Sequence, residues 1–188
     1  MTDTTLFDLL ERLSSLTRAW FRQHPLLAEL QPIQLSALMY LARCNHYSNT
    51  PLGVTDYLGL TKGTVSQSLK ALEAKGLVVK TQDAHDRRSV HLQLTDSARA
   101  LLDAVLPPDF LATGQARMGE RGAQLQALLG DLLGEVQRGT DVPGFGLCAS
   151  CRFHQRVDGL PFCGLTRQAL APPDAALICR EHQPPEPA

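Results

Sequence analysis

The chain has 188 residues, of which 44% are hydrophobic and 20% charged, a balance typical of a folded globular protein rather than a disordered chain. Its formal net charge is −1, so the chain as a whole lacks the basic excess of many nucleic-acid-binding proteins. No run approaches the roughly 18 apolar residues of a membrane span, and the N-terminus has no signal-peptide pattern. We therefore expect a cytoplasmic protein with no membrane partner.

Two helices are predicted at the start of the chain. Large apolar residues recur at helical spacing between Leu6 and Trp20, which predicts an amphipathic helix that Pro25 ends. Residues 31–44 are apolar on more than one face, and Pro32 suits a first helical turn. We therefore expect this second helix to be buried on most sides.

Residues 50–95 predict two further helices and a β-hairpin. Thr50 and Thr61 can each cap a helix, and Gly76 suits the end of the second one, which spans residues 62–75. The segments LVVKT and VHLQLT then read as strands, with the polar loop QDAHDRRS between them. A short helix, a turn, a second helix and a hairpin, in this order, indicate a winged helix-turn-helix, whose second helix can enter a major groove.

Further helices follow the hairpin. Thr95 caps a helix that Pro107–Pro108 interrupt, and leucines between Leu125 and Val136 mark a last long helix. The apolar stripes of this helix and of the first one are too large to remain exposed. They predict a homodimer in which the two stripes pack across a two-fold axis.

The composition changes at Gly139, after which Gly, Pro and Cys are frequent. We place a domain boundary near residue 140 and expect a mainly α fold. Residues 1–139 would form a winged helix-turn-helix with long dimerisation helices, and residues 140–188 a small metal-binding extension.

Basic charge is concentrated in the second helix and the hairpin of the predicted winged helix-turn-helix. From Thr61 to Thr95 there are six cations and three anions, a local charge of +3 that favours contact with phosphates. Gln67 can present its amide to adenine, and the lysines suit phosphates, although the same residues could form an ordinary solvated helix face. The candidate DNA-binding residues of this helix are Lys62, Gly63, Thr64, Ser66, Gln67 and Lys70.

The hairpin loop carries Asp86, Arg87 and Arg88, which are further DNA-binding candidates. Arginine can enter a narrow, electronegative minor groove, and Asp86 can hold one guanidinium in a charge-assisted pair. The alternative is an ordinary exposed turn.

The segment LTKGTVSQSLKALEAKGLVVKTQDAHDRRSVHLQLTDSARALL resembles the core of the MarR family of regulators, and the resemblance covers roughly residues 5–138. It implies a symmetric homodimer that binds pseudo-palindromic double-stranded DNA and represses transcription by blocking polymerase. It also implies that Arg88 is the wing arginine and Asp86 its partner. Pro107–Pro108 depart from the family pattern, because they interrupt a helix that usually runs on into the dimer interface.

Four of the five cysteines lie in the last 41 residues, and we predict that they bind metal. Cys148 and Cys151 form a C-x2-C pair. Eleven residues separate Cys151 from Cys163, and fifteen separate Cys163 from Cys179. A C-x2-C pair can bind one metal ion or two corners of a cluster, and two distant thiols complete four-fold ligation. Cys44, at the end of a buried helix, is expected to be a small core residue.

The tail also resembles the cluster segment of high-potential iron–sulfur proteins, which implies a [4Fe-4S] cluster on the four cysteines. Zinc is the alternative, with Cys179 and His182 as a second ligand pair. Three nearby phenylalanines could shield a cluster or form a small core, and His154 could support a ligand. The phenylalanines are Phe145, Phe153 and Phe162.

No P-loop, G-x-S-x-G, H-E-x-x-H or Rossmann pattern is present, so we expect no enzyme. The leading hypothesis is a DNA-binding repressor that senses redox state, iron or a reactive gas through its tail. Two alternatives remain at this stage. One is a regulator with a structural zinc tail that responds to a small molecule, and the other is an electron-transfer module that uses a winged helix for protein contacts.

Overall fold

The computed structural model describes residues 4–83, 89–139 and 144–185. Its helices are α1 Thr5–Gln23, α2 Pro32–Leu41, α3 Pro51–Leu58, α4 Lys62–Ala74, α5 Asp96–Val105, α6 Asp109–Met118 and α7 Glu120–Arg138. Strands β1 Val78–Gln82 and β2 Val90–Leu94 form an antiparallel hairpin after α4. Within the described ranges, no helix is long and apolar enough to cross a membrane.

A single apolar core unites α2 to α5 and the hairpin. Helix α2 has six buried residues in ten, as expected of a helix without a polar face. The core's most enclosed side chains come from every one of these elements, and they are Leu38, Tyr40, Val54, Val65, Leu69, Leu72, Val78, Leu92 and Ala98. The predicted order of a winged helix-turn-helix is therefore confirmed.

The predicted helix caps are present. The side chains of Thr50, Thr61 and Thr95 accept hydrogen bonds from the backbone N–H groups three residues further on. Each such cap is worth about 1 kcal/mol. Gly76 has a φ of +67°, a conformation that glycine adopts without strain, and it follows α4 as predicted.

Helix α2 ends at Leu41, three residues before the end predicted from the apolar pattern. The chain then enters a loop of residues 42–50, the α2–α3 loop, which runs to the cap of α3. Cys44 is buried in this loop, beyond the helix, where it forms an isolated parallel bridge with Ile178. The last residues of the predicted helix thus pair with the C-terminal segment, which local sequence does not reveal.

Helices α1, α6 and α7 contribute no residue to the buried core, although the half-buried Trp20 and Phe21 of α1 pack against it. Neither α1 nor α6 contains a buried residue, and Gly122 is the one buried residue of α7. Their large apolar side chains remain exposed, among them Leu6, Phe7, Leu9, Leu13, Leu125, Leu128, Leu133 and Val136. The break at Pro107–Pro108 separates α5 from α6, as predicted.

The cysteine-containing segment forms short antiparallel strands. Strand β3 (Gly146–Leu147) pairs with β7 (Ile178–Cys179), and β4 (His154–Val157), β5 (Leu160–Cys163) and β6 (Gln168–Ala169) form a second sheet. This segment packs on the winged helix, because Ile178 belongs to the main core. The predicted boundary at residue 140 lies in residues 140–143, outside the described ranges.

Candidate functional site

Helix α4 presents a polar face to solvent. Val65, Leu69 and Leu72 are at most 2% exposed, and they fix the helix against the core. The candidate DNA-binding residues of this helix are all exposed, namely Lys62, Gly63, Thr64, Ser66, Gln67 and Lys70. The helix therefore has the exposed polar surface that a recognition helix requires, while the role of each residue stays a prediction.

A groove of about 360 Å³ lies between the start of α3, the first half of α4 and strand β1. Lys62 and Ser66 line it from α4, and Lys80 lines it from β1. The Lys80 ammonium is 2.5 Å from the Glu73 carboxylate. Lys62 is the first residue of α4, so its charge lies at the helix N-terminus. Both the helix N-terminus and this lysine favour an anion such as a phosphate.

The hairpin is regular up to its tip. Its register runs from Val78 opposite Leu94 to Gln82 opposite Val90, and the Asp83 N–H donates to the Ser89 carbonyl at 3.0 Å. The tip itself, residues 84–88, lies outside the described residues. The predictions for Asp86, Arg87 and Arg88 fall on this tip and stay predictions.

The four cysteines of the tail line one small cavity. Cys148 begins a turn after β3, and Cys151 follows that turn. Cys163 ends β5 opposite His154, while Cys179 ends β7 opposite Gly146. The two strand pairings therefore bring the distant thiols to the C-x2-C pair, and the predicted ligand set shares one site.

Burial and mutual repulsion disfavour thiolates in this cavity. Burial, together with like-charge repulsion from Cys179, Cys163 and Cys151, raises the pKa of the Cys148 thiol to about 11. Burial also raises the pKa of the Cys179 thiol. A bound cation would relieve both penalties, because metal ligation stabilises the thiolate form.

The residues around the thiols differ partly from those considered in the sequence. His154 lines the cavity, and its Nδ1 is 3.7 Å from the Cys148 sulfur. The His182 ring is 3.0 Å from the Ser150 hydroxyl and does not line the cavity. Of the three phenylalanines, Phe153 lines the cavity, whereas Phe145 packs against Tyr40 and Tyr57 of the winged helix.

Sequence reasoning missed the residues of the α2–α3 loop that reach the tail. Tyr47 lines the cavity and donates a hydrogen bond to the Gln168 side chain at 2.7 Å. Asn45 and Ser48 are both at most 1% exposed and lie beside Cys179, where they offset part of the rise in thiol pKa that burial causes. The one available signal was the polar run from Asn45 to Thr50 between two buried helices.

A winged helix-turn-helix with an exposed polar second helix defines the class of DNA-binding transcriptional regulators. Comparison with known proteins gives the family. The model of the MarR family matches residues 28–89, which span α2 to the end of the hairpin loop.

The HTH-type transcriptional repressor NicR of Pseudomonas putida is 30% identical over 135 residues, covering 67% of this chain and 85% of its own. The S. aureus MepR–DNA complex is 25% identical with a TM-score of 0.55, covering 72% of this chain and 98% of that one. Streptococcus pneumoniae FabT in complex with DNA, at 22% identity and a TM-score of 0.56, shows the same fold over 72% of this chain and 94% of that one.

This chain belongs to the MarR family of transcriptional regulators and has that family's DNA-binding fold. The resemblance found in the sequence is thereby confirmed for the winged helix. The family match ends at residue 89, ahead of the cysteine-containing tail.

Proposed function

We propose that this protein is a dimeric repressor that binds pseudo-palindromic DNA and whose tail holds an iron–sulfur cluster that controls DNA binding. The observation that carries this proposal is that all four tail cysteines line one cavity against the DNA-binding domain. Relatives crystallised with DNA support the DNA-binding part.

DNA contact is proposed through α4 and the hairpin tip. Lys62 and Lys70 would contact phosphates, and Gln67 would read an adenine in the major groove. Their exposure supports these roles. By the family resemblance, Arg88 would enter the minor groove with Asp86 as its partner.

Dimerisation is proposed through α1 and α7. Leu128 of α7 is 65% exposed and Phe7 of α1 is 68% exposed. Exposed apolar stripes on helices usually mark an interface. A second copy of the chain is the proposed occupant, because a two-fold operator requires two recognition helices.

The four thiols support a cluster. A zinc ion binds four ligands, which can be thiolates, imidazoles or carboxylates, around one point. Among the described residues, no group of three or more Cys, His, Asp or Glu side chains converges on such a point. The support is the number of thiols, because the four cysteines that line the cavity match the four cysteine ligands of a [4Fe-4S] cluster.

A structural zinc site is the second candidate, and the size of the cavity favours it. The volume between the side chains is about 20 Å³, which is close to the space of a single small ion or water. In that case the metal would stabilise the fold of the tail and would not act as a sensor.

We propose that occupancy of the cluster is the signal. Iron–thiolate bonds are labile, so an oxidant, a reactive gas or low iron supply would each reduce the loaded fraction. The tail has few aliphatic side chains of its own, so metal binding would supply much of its ordering.

The test begins with protein purified without oxygen. Iron, acid-labile sulfide and zinc are measured per chain, together with absorbance near 400 nm. The Cys163→Ser variant should lose the chromophore, whereas Cys44→Ala, which removes a core thiol that does not line the cavity, should keep it. Bound zinc would favour the second candidate, and a chain without metal would contradict both.

A further inference from the structure

The last strand of the tail is built into the DNA-binding domain. Ile178 belongs to the main core, its N–H donates to the Arg43 carbonyl at 2.8 Å, and its carbonyl accepts from the Asn45 N–H at 2.9 Å. Both backbone polar groups of Ile178, the residue before Cys179, are therefore hydrogen-bonded to the α2–α3 loop.

The residue that follows Cys179 is fixed to the same domain. The Arg180 N–H donates to the Ser48 hydroxyl at 2.9 Å, and the Arg180 guanidinium donates to the Asp56 carboxylate at 2.7 Å. Asp56 lies on α3, the first helix of the helix-turn-helix. Three consecutive residues thus connect the core, the cysteine cavity and α3.

Two buried polar side chains of the loop lie beside Cys179. The Ser48 hydroxyl donates to the Asn45 side-chain oxygen at 2.7 Å. The Asn45 amide nitrogen is buried and has no hydrogen-bond partner among the described residues. Burial raises the pKa of the Cys179 thiol, and the side chains of Asn45 and Ser48 offset part of that rise. An unpaired buried amide beside a thiol is a donor suited to a thiolate ligand.

The other end of the loop holds the wing. The Leu92 N–H donates to the Asn49 carbonyl at 2.7 Å, and the Asn49 side-chain oxygen is 2.5 Å from His91 Nδ1. The other ring nitrogen of His91 is 3.0 Å from the Asp83 carboxylate near the hairpin tip. The loop therefore has the tail on one side and the wing on the other.

We infer that the α2–α3 loop couples metal occupancy of the four-cysteine site to the helix-turn-helix and the wing, through Cys179 and Arg180. This inference rests on the proposed metal centre and gives its regulation a route. With metal bound, the Asn45 amide can donate to the Cys179 thiolate. Release of Cys179 from the metal would weaken that bond and leave a buried donor unsatisfied, which is costly. The loop must then rearrange, and it is bonded to α3 and to β2.

A competing route runs along the chain from α7 into the tail, since α7 ends at Arg138 only ten residues before Cys148. The two routes make different demands. The loop route needs the pair between Arg180 and Asp56, whereas the α7 route needs a stiff connection after Gly139.

The experiment measures operator affinity of the full-length protein with and without metal, using a duplex selected from a random library with both forms. In the wild type we expect the two affinities to differ about tenfold or more. Arg180→Gln, Asp56→Asn and the double variant should each reduce this ratio to about threefold or less while keeping the metal, with no further loss in the double variant. Two glycines inserted after Gly139 should leave the ratio unchanged.

An unchanged ratio in the Arg180 and Asp56 variants, or a ratio lost on the glycine insertion, would overturn the loop route while leaving the metal centre intact. Equal affinities of the two wild-type forms would overturn it as well. Failure of the proposed function is separate, because metal analysis of the wild type reveals it before any DNA is added.

Discussion

The ring of His91 on β2 and the side chain of Asn49 in the α2–α3 loop are joined by a contact of 2.5 Å between Nδ1 and Oδ1. The same ring reaches Asp83 through its other nitrogen. One half-buried side chain therefore links the base of the wing to the loop that carries the tail. Such a bridge fixes the angle at which the wing leaves the domain.

We predict that His91→Ala lowers operator affinity about tenfold, because a wing without this bridge must be ordered when DNA binds. The free energy of unfolding should fall by about 1 kcal/mol, the usual cost of lost hydrogen bonds. Fluorescence anisotropy at fixed salt and thermal unfolding measure the two effects. Gln93→Ala, an exposed neighbour on the same strand, is the control and should change neither. Equal operator affinity in His91→Ala would show that the bridge does not position the wing.

Substitutions of Gln67 and Lys70 on α4 are predicted to change DNA binding in different ways. Gln67→Ala should relax base preference at one position in each half-site, because a bidentate amide contact reads a base edge. Lys70→Ala should weaken binding to all sequences alike and reduce the salt slope of log affinity by about 1, because it removes one phosphate contact. Binding to duplexes with single substitutions over a salt series separates the two. Loss of base preference in the Lys70 variant instead would reverse the assignment.

The helix-turn-helix and its wing could be predicted from sequence because their signals are local. Thr61 caps the helix that it precedes, and Gly76 follows the same helix at a positive φ, so each acts within a few residues. The docking of the tail could not be predicted in this way. Asp56 and Arg180 are 124 residues apart, and nothing near either one specifies the other.

The cysteine site could be predicted from the sequence only in part. Spacing alone indicated that Cys148, Cys151, Cys163 and Cys179 act together, and they line one cavity. The same spacing offered His182 equally, because a pair three residues apart is a common ligand motif. Pairing of β3 with β7 decides between them, since it turns Cys179 toward the other thiols while His182 lies against Gly146.

Light scattering of the wild type at micromolar concentration should give about 41 kDa, twice the mass of the 20.5 kDa chain. Leu128→Asp should shift the protein toward the monomer, because it introduces a charge into a desolvated interface. Leu160→Asp is the matched control, since that leucine is 57% exposed on the small sheet of the tail. A wild-type monomer, or a dimer that survives Leu128→Asp, would count against an interface on α7.

Cys44 should be the least reactive thiol in the folded protein. Burial raises its pKa to about 12, so below that pH the thiol stays protonated, and the thiolate is the nucleophile. At pH 8 we expect iodoacetamide to modify the half-buried Cys151 and Cys163 of metal-free protein first, and Cys44 only after unfolding. Mass spectrometry of digested protein reports each site. Rapid modification of Cys44 in folded protein would mean that the α2–α3 loop opens readily.

Gly53 is predicted to be required where α3 meets the α2–α3 loop. A Cβ at this position would lie 2.1 Å from the Ser48 carbonyl oxygen and 2.8 Å from the Tyr40 hydroxyl, and the backbone oxygen cannot move aside cheaply. Gly53→Ala should therefore destabilise the fold by about 1–3 kcal/mol, despite the better helix propensity of alanine. Gly63→Ala in α4 is the matched control, because its nearest neighbour is 3.9 Å away, and it should stabilise the fold by up to about 1 kcal/mol. Thermal unfolding of the two variants without DNA should give shifts of opposite sign, and a stabilised Gly53→Ala would show that the loop yields to α3.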